Sequence, residues 1–320
     1  MAKTKVLVCG ASGFIGRNIV ERLSSRDDLE VYGTYLKTAP SGALAINNSA
    51  SFDQVDLTNK DQVAAAVNGK DIVIQAAAVT SGSNDIVARP YIHVTDNAIM
   101  NSLLFRACFE SGVKHVVFFS CAVMYPSRQQ PVQEDDFNYQ IGDRYFGAGW
   151  TKVYIEKMCE FYSQISDTRY TAIRHSNVYG PYDKFDLERS HVFGATVTKV
   201  MTARDGRVLV WGDGSEARDL LYVSDLVDFV ETIIEAQKAP FELINVGYGS
   251  AIPVKELVKK IIECSGKPLA IEFDLTKPTI KFAVTLNTDK ARRKYQWKPK
   301  VALEEGIRRT MSWYREHVGS

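Results

Sequence analysis

Three glycines near the start of the chain, Gly10, Gly13 and Gly16, have the spacing of a loop that binds phosphate groups. They connect a predicted strand at residues 6–9 to a predicted amphipathic helix at residues 15–23. Glycine allows a tight turn and a close backbone approach, and a helix N-terminus offers unbonded amides to an anion. The pattern predicts a dinucleotide site. Its residues are Gly10, Ser12, Gly13, Phe14, Ile15 and Gly16.

The end of the second predicted strand, at residues 30–34, determines which dinucleotide fits. An acidic residue about 20 residues beyond the glycines would bond the ribose 2′-hydroxyl of NAD, but the sequence there reads Thr34-Tyr35-Leu36-Lys37. Because no carboxylate repels a 2′-phosphate, and Lys37 and Arg17 can pair with one, we expect NADP(H), with NAD(H) as the alternative. Lys37 is equally compatible with a solvated surface charge. Further expected cofactor contacts are Asp56 and Leu57 at the adenine, and Ala76, Ala77 and Ala78 after the fourth strand.

Short apolar runs alternate with amphipathic stretches, which predicts an α/β fold with a doubly wound, Rossmann-type parallel sheet. Strands are predicted at residues 6–9, 30–34, 52–55, 72–75, 116–120 and 170–174, and helices at 15–23, 60–67, 97–110 and 149–165. After residue 181, predicted helices at 190–202, 224–236, 254–264 and 303–317 and strands at 209–211 and 269–273 indicate a smaller lobe. We expect a cofactor domain of residues 1–178 with 213–240, and a substrate lobe of residues 179–212 and 241–320.

The composition excludes several kinds of partner. Lys and Arg number 39, Asp and Glu number 38, and a net charge of +1 gives no reason to expect nucleic acid or an anionic membrane. Five cysteines without a CxxC pair favour neither a disulfide framework nor a zinc site. No apolar run approaches the roughly 20 residues that span a bilayer, and the N-terminus lacks the features of a signal peptide. We therefore expect a cytoplasmic protein that binds a small molecule and no metal.

Several ordered motifs accompany the glycine loop. They are Tyr179-Gly180-Pro181 with Asp183 and Phe185, Ser190-His191-Val192, Val210-Trp211-Gly212, Arg218-Asp219 and Asn245-Val246-Gly247. With them, the chain resembles the extended short-chain dehydrogenase/reductase family over nearly its whole length, and within it the GDP-L-fucose synthase subfamily. The resemblance implies that Asn177 and Val192 hold the nicotinamide region, with Asn177 also bordering the substrate. It implies that Trp211 packs against the substrate, and that Arg218 binds the nucleotide diphosphate through bidentate contacts.

The sequence departs from this family at the catalytic residues. The family's Tyr-x-x-x-Lys places both side chains on one helix face, and its lysine lowers the pKa of the phenol that exchanges a proton with the sugar. Lys152 matches the lysine, but Ala148 stands at the tyrosine position. Tyr145 precedes Lys152 by seven residues, about 10.5 Å along a helix, so only an irregular helix start would bring it close.

Other positions around the catalytic residues also depart from the family. Its catalytic Ser or Thr falls on Cys121, with Ser120 one residue earlier, and Val123 replaces the cysteine that fucose synthases use in epimerisation. His191 is retained and could act as an acid or base, and Cys121 could equally be a small core residue. The proton donor stays open between Tyr145, Cys121, Ser120, His191 and water. Because several positions depart together, we favour natural divergence over one engineered change.

The resemblance implies an NADP-dependent nucleotide-sugar oxidoreductase or epimerase that transfers a hydride at C4 of a keto-deoxy sugar, with GDP as the expected nucleotide. Two alternatives stay open. One is an epimerase or dehydratase that recycles a tightly held cofactor, and the other is a binding or regulatory homologue with impaired catalysis. The family commonly dimerises through two long helices of each subunit, so we expect a homodimer formed by residues 97–110 and 149–165, although their apolar side chains would also suit a core.

Overall fold

The computed structural model describes residues 2–40, 50–80, 89–128, 130–188, 190–277 and 283–319. Its strands in chain order are β1 (Thr4–Cys9), β2 (Leu29–Tyr35), β3 (Ala50–Gln54), β4 (Ile72–Gln75), β5 (His115–Phe119), β6 (Arg169–His175), β7 (Asn177–Tyr179), β8 (Arg207–Trp211), β9 (Ala217–Tyr222), β10 (Phe241–Val246), β11 (Ala251–Pro253) and β12 (Ala270–Asp274). Its helices are α1 (Phe14–Leu23), α2 (Lys60–Val67), α3 (Thr95–Glu110), α4 (Phe146–Ile165), α5 (Val192–Thr202), α6 (Val223–Ala236), α7 (Val254–Ser265), α8 (Asp289–Tyr295) and α9 (Leu303–His317). Short 3-10 turns cover Pro90–His93, Glu134–Asp136 and Asp143–Tyr145.

Seven strands form one parallel sheet in the order β10-β6-β5-β4-β1-β2-β3. From β1 the chain moves to β2 and β3 on one side, and from β4 it moves to β5 and β6 on the other, so the winding reverses between β1 and β4. In such sheets, ligands bind outside the carboxyl ends of the strands at this reversal. The predicted doubly wound α/β fold is confirmed, and the glycine loop leaves β1 at the reversal.

Helices cover both faces of the sheet, which is why its inner strands, such as β4 and β5, are nearly continuous apolar runs. All five residues of β5 are buried. On one face, α1, α6 and α8 enclose a core that includes Ile19 and Phe229. On the other face, α2, α3 and α4 enclose a core that includes Leu104 and Ile155. These two cores fix the strand ends from which the loops of the site leave.

A further core lies among α5, α7 and α9, where Val197, Leu257 and Ile307 are fully buried. Two small sheets, β11-β9-β7 and β12-β8, flank it. Strand β9 pairs in parallel with β7 and antiparallel with β11. This smaller lobe carries the motifs of the resemblance, because His191 caps α5 and Arg218 lies in β9.

The structure shows that two predictions about the elements are wrong. Residues 241–246, expected in the substrate lobe, form β10, which pairs along its whole length with β6 in the main sheet. The first core also contains Ala291, Tyr295 and Trp297 from the same predicted lobe. The sequence hides this arrangement because β10 follows β6 only after β7–β9, α5 and α6. The helix expected at residues 149–165 starts earlier, at Phe146, directly after a 3-10 turn.

Within the described ranges, no helix combines the length and the apolar character needed to cross a lipid bilayer. The same residues contain no group of three or more His, Cys, Asp or Glu side chains placed to hold a metal ion. All five cysteines lie in described segments and are unpaired, with Cys9, Cys108 and Cys159 buried in the core.

Candidate active site

The glycine loop between β1 and α1 has the geometry of an anion-binding turn. Gly10 has φ +76°, and a Cβ there would lie 2.7 Å from the Cα of Ala77, so only glycine allows the loop to approach the end of β4. A Cβ at Gly16 would collide with the carbonyl oxygen of Gly10. Helix α1 starts after Gly13, an N-cap without a side chain, so no cap occupies the amides of the first turn. The loop therefore fits the pyrophosphate of a dinucleotide.

The other predicted cofactor residues follow the strands of the same sheet. Residues 76–78 leave β4 beside the glycine loop. Asp56 is half-buried after β3 and accepts hydrogen bonds from the amide and the hydroxyl of Thr58 at 2.9 and 2.7 Å. Leu57 packs into the core and is 7% exposed, which leaves Asp56 as the polar group at this position. Ser12, Phe14 and Ile15 are half-buried in the loop and the first turn of α1.

Lys37 and Arg17, the cations expected near a 2′-phosphate, lie in different environments. Lys37 is exposed just beyond the end of β2. The guanidinium of Arg17 lies 3.3 Å from a carboxylate oxygen of Glu21 and 3.9 Å from the centre of the Tyr182 ring. Since Tyr182 belongs to the loop after β7, Arg17 links α1 to the smaller lobe. Lys37 is thus the better placed of the two predicted partners for a 2′-phosphate.

Lys152 lies on α4 against the end of β5. Its ammonium donates a hydrogen bond to the carbonyl oxygen of Phe119, the last residue of β5, at 2.7 Å. Desolvation lowers the pKa of Lys152, and the neighbouring Cys121 and Glu156 act in the opposite direction. Ala148 lies one turn earlier on the same helix face, because residues four apart are neighbours on a helix. Ala148 and Lys152 are the two positions at which we expect the tyrosine and lysine of the family pattern.

Tyr145 and Cys121 belong to the surroundings of this lysine. Tyr145 is the N-cap of α4, and it packs half-buried against the same hydrophobic cluster as Cys121. Desolvation raises the pKa of Tyr145, the charge of Arg218 lowers it, and Cys121 raises it. Desolvation also raises the pKa of the Cys121 thiol, whereas the charge of Lys152 lowers it. Cys121 therefore neighbours both the phenol of Tyr145 and the ammonium of Lys152.

Ser120, a predicted candidate for proton donation, is buried and hydrogen-bonded within the protein. Its side chain is 1% exposed, and its hydroxyl donates a hydrogen bond to Oε1 of Glu156 at 2.5 Å. Glu156 also forms a two-point ion pair with Arg174, with distances of 2.9 and 2.7 Å between its carboxylate oxygens and the guanidinium nitrogens. Ser120 therefore belongs to a buried network, and its role in proton donation stays a prediction.

Two histidines from different lobes lie near each other in the site. His191 is exposed at the start of α5, and desolvation by the surrounding protein, aided by Lys184 and Arg218, lowers its pKa. His175, which the sequence pattern does not predict, ends β6, and desolvation lowers its pKa to about 4, with Lys152 and His191 acting in the same direction. Its Nδ1 lies 2.7 Å from the carbonyl oxygen of Ser176, so Nδ1 carries the proton and Nε2 is an acceptor. The sequence signal that could have identified His175 is its position at the carboxyl end of a parallel strand.

The predicted substrate residue Arg218 lies half-buried in β9, where its charge affects both Tyr145 and His191. The next residue, Asp219, is fully buried and accepts hydrogen bonds from three backbone amides of the segments that follow β10 and precede α8. Asn177 is exposed in β7 and donates to the carbonyl oxygen of Asp219 at 3.2 Å. Asp219 therefore fixes the strand that presents Arg218.

Trp211 and Val192 occupy other parts of the smaller lobe. Trp211 is half-buried at the end of β8, and the ammonium groups of Lys199 and Lys277 lie 5.6 and 5.9 Å from its ring centre. Val192 is the first residue of α5 and packs half-buried against the core of this lobe. The structure brings Val192 beside His191, whereas Trp211 contacts cations of its own lobe.

Residues 6–247 match the sequence model of the NAD dependent epimerase/dehydratase family, which spans most of the 320 residues. The chain belongs to this family. The predicted resemblance is confirmed, the protein is an enzyme, and the family depends on a nicotinamide dinucleotide.

Relatives within this epimerase/dehydratase family match nearly the whole chain. It is 27% identical over 319 residues to the GDP-L-colitose synthase of Yersinia pseudotuberculosis, covering 97% of each chain. It is 29% identical over 326 residues to a GDP-L-fucose synthase of Azorhizobium caulinodans, covering 97% of this chain and 96% of the relative. The UDP-glucuronic acid 4-epimerase of Bacillus cereus, solved with UDP-glucuronic acid and NAD, has a TM-score of 0.85 and 23% identity over 98% of this chain and 99% of that one, a likeness of fold alone.

Proposed function

We propose that the protein is an NADP-dependent oxidoreductase and epimerase of a nucleotide-linked keto-deoxy sugar, with hydride transfer at C4 and GDP as the nucleotide. The observation that carries the proposal is one group of electrostatically interacting side chains: Cys121 and Lys152 near the end of β5, His191 and Arg218 of the smaller lobe, and Tyr145, which interacts with members of both sets. The glycine loop leaves the same edge of the main sheet as the end of β5. The names of the two synthase relatives support this class of substrate.

The cofactor residues divide by the part of NADP that they hold. The uncapped N-terminus of α1 binds the pyrophosphate, Asp56 lies at the adenine end, and Lys37 pairs with the 2′-phosphate. Lys152, Asn177 and Val192 border the nicotinamide. A bound reduced nicotinamide dinucleotide supplies the hydride. NADP is preferred over NAD because β2 ends without an acidic residue to accept a hydrogen bond from the ribose.

The protonation states of the site favour reduction of a carbonyl. Desolvation raises the pKa values of Tyr145 and Cys121, so both side chains hold their protons near neutral pH, as proton donors must. His191, whose pKa is lowered, is neutral and can remove a proton next to the carbonyl, which is the step that epimerisation needs. Arg218 binds the diphosphate and Trp211 packs against the nucleotide sugar, which places the hexose between the lobes.

Two specific observations favour other candidates. The neutral imidazole of His191 would also serve an epimerase or dehydratase that recycles a tightly held cofactor. Ala148 favours a binding or regulatory homologue with impaired catalysis, because alanine has no proton to exchange. These candidates differ from the leading one in whether the reduced cofactor is consumed.

The test mixes purified protein with NADPH or NADH and a keto-deoxy sugar linked to GDP or dTDP, and follows the absorbance of the reduced nicotinamide. We expect NADPH consumption with the GDP-linked sugar, strongly reduced in Lys152→Met and unchanged in Lys157→Met, an exposed lysine of the same helix. Sugar interconversion without net consumption would support the recycling enzyme. Binding of cofactor and sugar by calorimetry without any conversion would support the regulatory homologue.

We further propose that the enzyme forms a homodimer and that it acts in the cytoplasm. Ile99 on α3 and Phe161 and Ile165 on α4 are 40 to 54% exposed, and the two helices pack side by side. The α4 positions recur at intervals that place them on one stripe, as in a helix-to-helix interface. The unpaired cysteines fit a reducing compartment. We also propose that the chain forms two functional lobes. We assign β10 and α8 to the cofactor domain.

A further inference from the structure

A phenol stands at the start of the helix that carries Lys152. Tyr145 ends a 3-10 turn and is the N-cap of α4, and Ala148 and Lys152 follow it by three and seven residues. Ala148 and Lys152 share one face of the helix, because residues four apart are neighbours on a helix. Tyr145 thus stands just before the helix, three residues ahead of the position at which the family pattern has its tyrosine.

The surroundings of Tyr145 place its phenol in the site. Its ring packs half-buried against the cluster of Met124, Tyr125 and Ile141, which Cys121 also contacts. Its hydroxyl interacts electrostatically with Cys121 and with Arg218. Cys121 in turn interacts with Lys152. One thiol therefore interacts electrostatically with both the phenol and the ammonium, which seven residues separate along the chain.

The structure removes or weakens the other proton donors. Ser120 is buried, and its hydroxyl group donates a hydrogen bond to Glu156. His191 is neutral, and its Nε2 or Nδ1 proton is far less acidic than that of an imidazolium. The side chain of Cys121 is short, because it ends at Sγ. Its sulfur also accepts a hydrogen bond from the amide of Val123. A phenol extends several atoms further and can reach a substrate in the cleft.

We propose, resting on the proposed function, that Tyr145 is the proton donor of the reduction and replaces the tyrosine absent at position 148. As the carbonyl carbon of the sugar gains a hydride, supplied by the reduced nicotinamide dinucleotide, the π electrons of the C=O bond move to oxygen. That oxygen takes the proton of Tyr145, the O–H bond breaks, and the phenolate regains a proton from water. The guanidinium of Arg218, which interacts electrostatically with Tyr145, stabilises the phenolate.

The kinetic test compares Tyr145→Phe with Tyr154→Phe. Tyr154 lies on the same helix with half of its surface exposed, and it serves as the matched control. Loss of a general acid lowers kcat by about 10²–10⁴-fold, so we expect a fall of that order in Tyr145→Phe, a KM within about threefold of wild type, and no change in Tyr154→Phe. Wild-type kcat in Tyr145→Phe would overturn the proposal while leaving the proposed function intact.

A second test needs neither cofactor nor turnover. With 3-fluorotyrosine in place of tyrosine, the ¹⁹F resonance missing from Tyr145→Phe belongs to Tyr145. We expect this resonance to shift in Cys121→Ala and on addition of GDP-mannose, whereas the resonance assigned through Tyr154→Phe stays in place. A Tyr145 resonance that responds to neither change would show that the phenol lies outside the site. If it responds but the wild-type enzyme reduces no nucleotide sugar, the proposed function fails and the catalytic assignment fails with it.

Discussion

Alanine substitutions in the glycine loop separate folding from cofactor binding. Gly10 and Gly112 have φ values of +76° and +66°, and alanine in this backbone conformation costs about 1–2 kcal/mol. Only at Gly10 would the new Cβ also meet backbone, 2.7 Å from the Cα of Ala77, whereas Gly112 has nothing within 4 Å. Such an overlap adds about 1–3 kcal/mol. We expect Gly10→Ala to lower the free energy of unfolding by about 2–5 kcal/mol, and Gly112→Ala by about 1–2 kcal/mol.

Gly13→Ala probes binding with little effect on the fold. Gly13 has φ −80°, which alanine adopts freely, and the new methyl would meet only the carbonyl oxygen of Gly10, at 3.2 Å. Its free energy of unfolding should fall by no more than about 1 kcal/mol, the typical cost of alanine at an N-cap. The methyl would hold an anion away from the amides of α1. Losing one hydrogen bond to a charged group costs roughly 1.5–3 kcal/mol, which is about 10–100-fold in Kd.

Urea unfolding followed by circular dichroism measures the stabilities, and calorimetric titration with NADPH and NADH measures the affinities. Wild-type affinity for both dinucleotides in Gly13→Ala would refute the assignment of this loop to the pyrophosphate. Equal losses of stability in Gly10→Ala and Gly112→Ala would refute the close contact between the loop and the end of β4.

Three further substitutions test the buried network, the buried acid and the subunit interface. Glu156→Gln should lower the free energy of unfolding by about 3–5 kcal/mol, because it leaves Arg174 buried without a counter-charge; a loss below about 1 kcal/mol in urea would contradict this. Desolvation raises the pKa of Asp183 from 3.8 to about 7, so its protonated form favours the fold. Stability should therefore fall by up to about 1.4 kcal/mol per pH unit as the pH rises from about 4 to about 7, and Asp183→Asn should abolish that part of the slope in urea titrations. Phe161→Glu should convert the proposed dimer into monomers in sedimentation equilibrium, and an unchanged mass would place the interface elsewhere.

The sequence predicts best the elements whose burial pattern is repeated along their length. The bounds of α2, β4 and α9 agree with prediction to the residue, because one-sided or complete burial against the sheet or the smaller core sets their patterns. The sequence does not predict β7 and β11, of three residues each, since so short a strand shows no period and forms only by pairing with β9. Strand β10 lies far along the chain from its partner β6, and only tertiary structure reveals that pairing.

The site is predictable in its residue types but not in its arrangement. Motif order identifies Lys152, His191 and Arg218, whose chemistry does not depend on the exact helix start. Tyr145 stays seven residues from the lysine at the start of α4, and only the folded structure shows that its phenol interacts with Arg218 of the distant strand β9. The partner of Ser120 is 36 residues away in sequence, so its burial against Glu156 has no local signal.

One face of α4 joins the chemistry of the site to the stability of the sheet. Ala148, Lys152 and Glu156 recur at intervals of four and share this face. Glu156 bonds Ser120 and Arg174, and Lys152 bonds the last carbonyl of β5, so both residues attach the helix to strand ends. A substitution at position 156 should therefore displace the lysine as well as destabilise the fold. The methyl side chain of Ala148 makes no hydrogen bond to a strand. The phenol can therefore come from Tyr145 without any change in the position of Lys152.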